Sequence, residues 1–195
     1  MTLPVILIIK MTKSTGSYTL HRGKLDMNRR SFNFRDMKIK EIRIISHGTP
    51  DYDAEVALRY KVLREPLGLN YTPEQLTDEK DEIHINAFSE SGIVGCLLLK
   101  RVSDSEIKMR QVAVAEDHQG EGIGGELVRF CEEYARSCNY KVITLHARES
   151  AVKFYLSLGY EITGDRFTEV TLPHFPMRKN IGPLSPARIF HSPEK

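Results

Sequence analysis

The chain is poor in the features that would assign it at once. Three cysteines, Cys96, Cys131 and Cys138, are spread over 195 residues, form no Cys-x-x-Cys pair and leave an odd count, so no disulfide framework is expected. Cys131 and Cys138 are about 10 Å apart at their Cα atoms if they share a helix, too far for a disulfide, and a reducing, cytoplasmic setting is the expectation. The histidines show neither His-Glu-x-x-His nor His-x-His spacing, and the thiols are not clustered, so no metal is expected. No apolar run approaches the ~20 residues that a membrane helix needs. Leu3 to Ile9 has no basic residue before it and no small-x-small site after it, so neither a membrane span nor a signal peptide is expected. A basic surplus is missing too. The net charge is +2, but residues 1–36 carry seven Lys/Arg against two acids and residues 37–195 carry 21 against 24. A mildly acidic body does not suit a broad phosphate-tracking face, and no nucleic-acid partner is expected.

What is present supports one core: at 41% hydrophobic, the length suits a single domain. The informative stretch is Gln119 to Leu127, QGEGIGGEL, between an apolar run ending near Ala115 and a long amphipathic helix. Glycines at 120, 122, 124 and 125 permit φ > 0 and bring bare backbone to the surface. A helix starting near Gly122 would aim its unpaired N–H groups and positive dipole end at an anion. No Gly-Lys-Ser/Thr follows, which removes a Walker A loop. Gly120-x-Gly122-x-x-Gly125 satisfies the spacing of a dinucleotide fingerprint, but Glu116 to Gln119 separate it from the strand, and the next apolar run ends in His146 and Ala147 where an acid would be needed.

In chain order, Met1 to Asp36 is basic and shows no sustained period; it is expected to be a poorly ordered extension, with Met37 as the working start. Ile39 to Ile45 reads as a strand broken by His47-Gly-Thr-Pro50. Asp51 or Asp53 caps a helix whose apolar positions are Ala54, Ala57, Leu58 and Val62, and Pro66 and Gly68 end it. Thr72 and Pro73 open a short polar helix. Glu82 to Phe88 and Ile93 to Lys100 read as a hairpin, and Glu106 to Ala115 as the strand entering the glycine loop. After the loop, Ile123, Leu127, Phe130, Cys131, Tyr134 and Cys138 form one helical face, which Asn139 terminates. Lys141 to Ala147 is a buried strand, expected to run parallel to the strand before the helix. Glu149 to Ser157 is a second helix, closed by Gly159. After Lys179, three prolines mark an irregular tail, 181–195.

Gln119, Gly122 and Gly124 fit Gln/Arg-x-x-Gly-x-Gly/Ala. With IKMRQVAVAEDH before it and ESAVKFYLSLGY about thirty residues on, this order resembles motifs A and B of the GCN5-related N-acetyltransferase (GNAT) family across Ile107 to Tyr160. LPHFPMRK resembles the family's closing strand, and ALRYKVLREPLGL, more loosely, its first helix. The resemblance implies an α/β (α+β) GNAT fold over 37–180, a mixed sheet of about six to seven strands with about four helices, splayed at the cofactor-binding strand. It implies acetyl-CoA as co-substrate, held at its pyrophosphate by Gln119, Gly120, Glu121, Gly122, Ile123, Gly124 and Gly125. Val112, Ala113 and Val114 would pair with the pantetheine arm past a bulge, and an N–H near Val112 would face the thioester carbonyl. Ser150 stands where many members carry an Asn that touches the cofactor.

Tyr155 matches the family's phenol in FYxxLGY. A phenol near pKa 10 can protonate a thiolate near 8.5; as an unplaced tyrosine it would read as a packing aromatic. Phe154 reads as core, and Glu121 is expected to face solvent, since an inward carboxylate would repel phosphates. Glu82, His84, Glu106, His146 and His174 all lie on or beside strands, and none is singled out as a base. The implied activity is acetyl transfer to an amine by direct attack in a ternary complex, with a homodimer allowed. A non-catalytic acyl-CoA-binding sensor or scaffold is the alternative.

Overall fold

A computed structural model describes the backbone of residues 10–14, 17–21 and 39–182, and the side chains of 39–182. Its strands are β1 (Lys10–Ser14), β2 (Ser17–His21), β3 (Glu41–Ile45), β4 (Ile83–Ser89), β5 (Gly92–Arg101), β6 (Glu106–Val114), β7 (Val142–Arg148), β8 (Glu161–Ile162), β9 (Phe167–Glu169) and β10 (Leu172–Asn180). Its α-helices are α1 (Pro50–Arg59), α2 (Pro73–Thr77), α3 (Ile123–Ser137) and α4 (Val152–Ser157). β1 and β2 fall where the sequence shows no sustained period. The rest of the expected extension, and residues 183–195 of the expected tail, lie outside the described residues.

Tertiary contacts divide the chain into two units, Met1–Lys100 with Met109–Val128, and Arg101–Lys108 with Arg129–Lys195. In the first, the strand order is β1-β2-β3-β4-β5-β6. β3 pairs antiparallel with β4 from Glu41↔Phe88 to Ile45↔His84, and β4 with β5 from Ile83↔Leu99 to Ser89↔Gly92. The hairpin closes through Gly92 at φ 119°, a value few other residues adopt. In the second unit, the start of β6 runs parallel to β7 through Glu106↔Val142, Ile107↔Ile143 and Lys108↔Thr144. β10 lies antiparallel on the other side of β7, from His174↔Arg148 to Asn180↔Val142, and pairs with β8 and β9. One parallel pair among antiparallel neighbours makes the sheet mixed, as expected.

Capping chemistry sets most of the helix ends. Thr49, not an aspartate, caps α1 by accepting from the Tyr52 N–H, with Pro50 in the first turn. Thr72 and Gln75 exchange side-chain and backbone bonds in a capping box on α2. Asn139 at φ 65° closes α3, with Tyr140 N–H donating to the Ala135 carbonyl, and Gly159 at φ 83° closes α4 in the same way, with Tyr160 N–H donating to Tyr155. After Arg59 the chain widens into a π-helical turn, Tyr60–Arg64, before Gly68 ends the segment at φ 65°.

Two helical faces are rotated from the sequence reading. In α1 the buried residues are Tyr52, Glu55, Leu58 and Arg59, while Ala54 and Ala57 are exposed. The periodic alanines marked the outer face because small apolar side chains cost little in water, whereas Glu55 and Arg59 are buried as partners. In α3, Ile123, Leu127, Phe130 and Cys131 are buried as expected, but Val128, Glu132 and Ala135 join them, and Cys138 is exposed. Among the described residues no helix is long and apolar enough to cross a membrane.

Candidate active site

β6 leads into the glycine loop by way of a 3-10 turn, Glu116–His118, and α3 begins at Ile123. Gly120 and Gly122 hold φ at 81° and 83°, where a side chain would be strained. A Cβ built on Gly120 would meet nothing within 4 Å, so backbone conformation, not crowding, demands glycine there. Polar side chains of the loop are turned back on its own frame. Gln119 Nε2 donates to the Val114 carbonyl at 3.2 Å, and His118 Nδ1 lies 2.9 Å from Glu121 Oε2. Glu121 is therefore half-buried and paired with His118, which corrects the expectation that it faces solvent. An uncovered turn at a helix N-terminus fits a phosphate-bearing group.

Gly95 on β5 lets α3 approach the sheet under this loop. A Cβ there would lie 2.9 Å from Leu127 Cδ1, 3.1 Å from Ile123 Cγ2 and 3.3 Å from the Ala113 carbonyl oxygen. Ala113 is buried against Leu58 and Cys96, while Val112 and Val114 are half-buried. Just before them the strand breaks its geometry: Gln111 has φ 51° within β6. Left-handed backbone in a non-glycine strand residue marks a bulge that re-aims the next peptide groups. The resemblance implies a bulge in this strand without fixing its position; the left-handed residue is Gln111, directly before Val112.

The Gln111 side chain ends in a buried polar cluster. Its Oε1 accepts from Arg59 Nη1 and from the Tyr71 hydroxyl, each at 2.8 Å, and its Nε2 donates to Glu79 Oε1 at 2.6 Å. Arg59, with no exposed surface, also donates to both oxygens of Glu79 at 2.8 Å and lies 3.2 Å from Glu55. His84 sits between Glu55 Oε1 at 2.9 Å and the Glu79 carbonyl at 3.0 Å. The Glu79 carbonyl only accepts, so Nε2 carries a proton, and an ionised Glu55 would draw a second proton onto Nδ1. With the ring doubly protonated, the two carboxylates face two cations and the charges balance.

The titration behaviour follows from the same contacts. Burial alone would lower the His84 pKa, but the hydrogen bond and charge of Glu55 leave it raised. Burial would raise Glu79, yet the Arg59 bond and charge hold it below its ordinary value. Burial and the charge of Glu79 push the Tyr52 phenol up to about 12.

The remaining strand acids and histidines differ in their surroundings. Glu82 Oε1 accepts from Arg110 at 2.7 Å, while its Oε2 is buried without a hydrogen-bond partner, and burial raises its pKa despite the Arg110 charge. Glu106 accepts from Thr144 at 3.0 Å. His146 lies 2.8 Å from Glu169 and packs edge-on to Phe167, and His174 Nδ1 donates to the Leu172 carbonyl at 2.9 Å.

In the second unit Tyr155 is buried on α4, its ring 5.0 Å from Phe154 and 5.7 Å from Tyr160. Burial, with a contribution from Cys131, drives the phenol pKa well up, so the hydroxyl keeps its proton at neutral pH. Phe154 is half-buried, not core. Ser150 is exposed, in the 3-10 turn Glu149–Ala151 that precedes α4.

The family model for the acetyltransferase (GNAT) domain matches residues 54–181. The chain belongs to the GNAT family. The uncharacterized N-acetyltransferase YjcF of Bacillus subtilis (strain 168) is 28% identical over 81 residues, 41% of this chain and 58% of that protein, so the match spans little over half the relative's length. A putative N-acetyltransferase from Lactobacillus plantarum superposes with a TM-score of 0.63 at 24% identity, over 72% of this chain and 98% of that one. A GNAT family acetyltransferase from Elizabethkingia anophelis, solved with acetyl-CoA bound, superposes with a TM-score of 0.57 at 20% identity, over 73% and 98%. These likenesses establish the GNAT fold.

Arg59, Glu79 and Gln111 have no local signature in this GNAT chain. Arg59 is separated from Glu79 by 20 residues and from Gln111 by 52, and a charged residue on a predicted helix defaults to solvent. The nearest available signal was the Glu55/Arg59 spacing of one helical turn, which reads equally as a surface pair.

Proposed function

We propose that the protein transfers an acetyl group from acetyl-CoA to an amine. The observation that carries this reading is the adjacency, along one continuous run, of the Gln111 bulge, the two left-handed glycine turns at 120 and 122, and the start of α3. Such a run offers backbone N–H groups to a diphosphate at one end and a re-aimed peptide group at the other. Bound acetyl-CoA would supply an activated acetyl thioester.

The chain's own residues would do the rest. Main-chain amides from Gln119, Gly120, Glu121, Gly122, Ile123, Gly124 and Gly125 would hold the diphosphate. The backbone of Val112, Ala113 and Val114 would align the pantetheine arm, and the Val112 N–H would donate to the acetyl oxygen as negative charge grows there. Ser150 is proposed as a further cofactor contact. Tyr155 is proposed to hand its proton to the departing sulfur, a role supported by its motif position and by a raised pKa that keeps the phenol protonated. A cytoplasmic setting is supported by three free cysteines.

Thiol release from acetyl-CoA across a panel of primary amines tests the reading. Turnover that falls sharply in Tyr155→Phe is expected. Tight binding of acetyl-CoA with no turnover on any amine would favour a sensor instead.

A further inference from the structure

We propose that Gln111, with its clamp of Arg59, Tyr71 and Glu79, is a positioning residue that holds the Val112 amide in its donating orientation. The proposal rests on the acetyl-transfer reading above and adds what fixes the geometry.

A non-glycine residue at φ 51° is held in a strained, left-handed conformation. Such a conformation persists when its surroundings over-determine it. Here they do: three of the four hydrogen bonds open to the Gln111 amide are made, two accepted and one donated. The partners are themselves held. Arg59 and Glu79 are buried and share a two-point ion pair, and Tyr71 is stacked under the Arg59 and Arg64 guanidinium groups at 5.4 and 4.7 Å.

The partners also come from separate parts of the first unit: the end of α1, the loop before α2, and the turn after α2. A side chain anchored from three directions fixes its own Cα, and through the next peptide link it fixes the direction of the Val112 N–H. Glycine would relieve the strain at this position and make the bulge just as easily. A glutamine there adds only the tether.

The decisive variant is therefore Gln111→Gly in the full chain, which removes strain and tether together. Its amine-dependent thiol release should show kcat down about a hundredfold, the scale of losing or misplacing one oxyanion donor, with KM for acetyl-CoA within about twofold. Tyr71→Phe removes one of the three bonds and should lower kcat about three- to tenfold; it decides the matter if Gln111→Gly does not fold. The Val112 amide signal in a 15N-labelled sample should shift and exchange faster with solvent in both variants. An unchanged kcat overturns the proposal, as does a parallel loss of kcat, acetyl-CoA affinity and melting temperature, which would mean a purely structural role. Should the unaltered protein turn over no amine, the acetyl-transfer reading fails. The Val112 signal then still judges the tether: movement supports it and an unmoved signal overturns it.

Discussion

The first unit buries a cluster of charges around Arg59, and the second buries two phenols around Cys131, with one carboxylate, Glu132, buried against Arg136 and Lys179. Around Arg59, two carboxylates lie within hydrogen-bond distance of a guanidinium, and one of them, Glu55, also of the His84 ring, whose pKa that contact raises. Around Cys131, by contrast, Tyr155 and Tyr160 are buried with raised pKa values. Buried ion pairs specify geometry at the price of desolvation, and removing one partner strands the other. Buried phenols need no counter-charge and keep their protons. The contrast suits the proposed division of labour: the charged cluster fixes backbone, and the phenolic interior stores a proton.

The largest expected break in that contrast is Arg59→Met. It leaves Glu55 and Glu79 with His84 as the one remaining cation of the cluster and should destabilise the protein by about 3–5 kcal/mol, read from urea unfolding. A loss under 1 kcal/mol would show that the cluster is not electrostatically closed. Tyr155→Phe tests the other side. It should lower kcat by about a hundredfold or more while leaving the urea midpoint nearly unchanged, because the ring stays and only the donated proton is lost.

Gly95→Ala comes next. Its new methyl would press on Leu127, Ile123 and the Ala113 carbonyl, and about 1–3 kcal/mol of stability should be lost. Gly120→Ala puts a methyl into open space at φ 81°, so only backbone strain of about 1 kcal/mol is expected. A much larger loss there would show that the loop is crowded.

The smallest effect is on pH. Because the folded-state pKa of His84 is raised above 6.5, its contribution is complete below that value and is lost as pH rises through the folded pKa. For Glu79, lowered from 4.5, the contribution is present above that value and is lost as pH falls through the folded pKa. Stability from this cluster should therefore plateau between about 4.5 and 6.5. His84→Gln should remove the alkaline erosion and leave the acid limb, as measured by urea midpoints across pH.

The two regions also differ in how readable they were. The glycine loop, the α4 segment with Gly159 and the Asn139 cap were legible because each depends on a backbone conformation that few residues take, and the signal lies within a few positions. The hairpin and the parallel β6–β7 pair followed from period and order, and the mixed sheet from the GNAT resemblance. The charged cluster was not legible. Glu55 and Arg59 on α1 looked like solvated residues, and Ala54 and Ala57 looked like the apolar face, because burial of a charge depends on partners folded in from elsewhere. Glu121 was misread for a related reason: repulsion from phosphate predicts avoidance, but not that His118 would be the partner. Nor could the position of the bulge be read from residue type, since glutamine rarely takes φ > 0.

The central claim is that main-chain amides of the glycine loop hold the diphosphate of coenzyme A. Titrating the 15N-labelled full chain with acetyl-CoA tests it most directly. The account predicts saturable shifts concentrated at the amides of Gly120, Gly122, Gly124 and Gly125, with a second group at Val112 to Val114. Shifts confined to other residues, or none at millimolar acetyl-CoA, would contradict it.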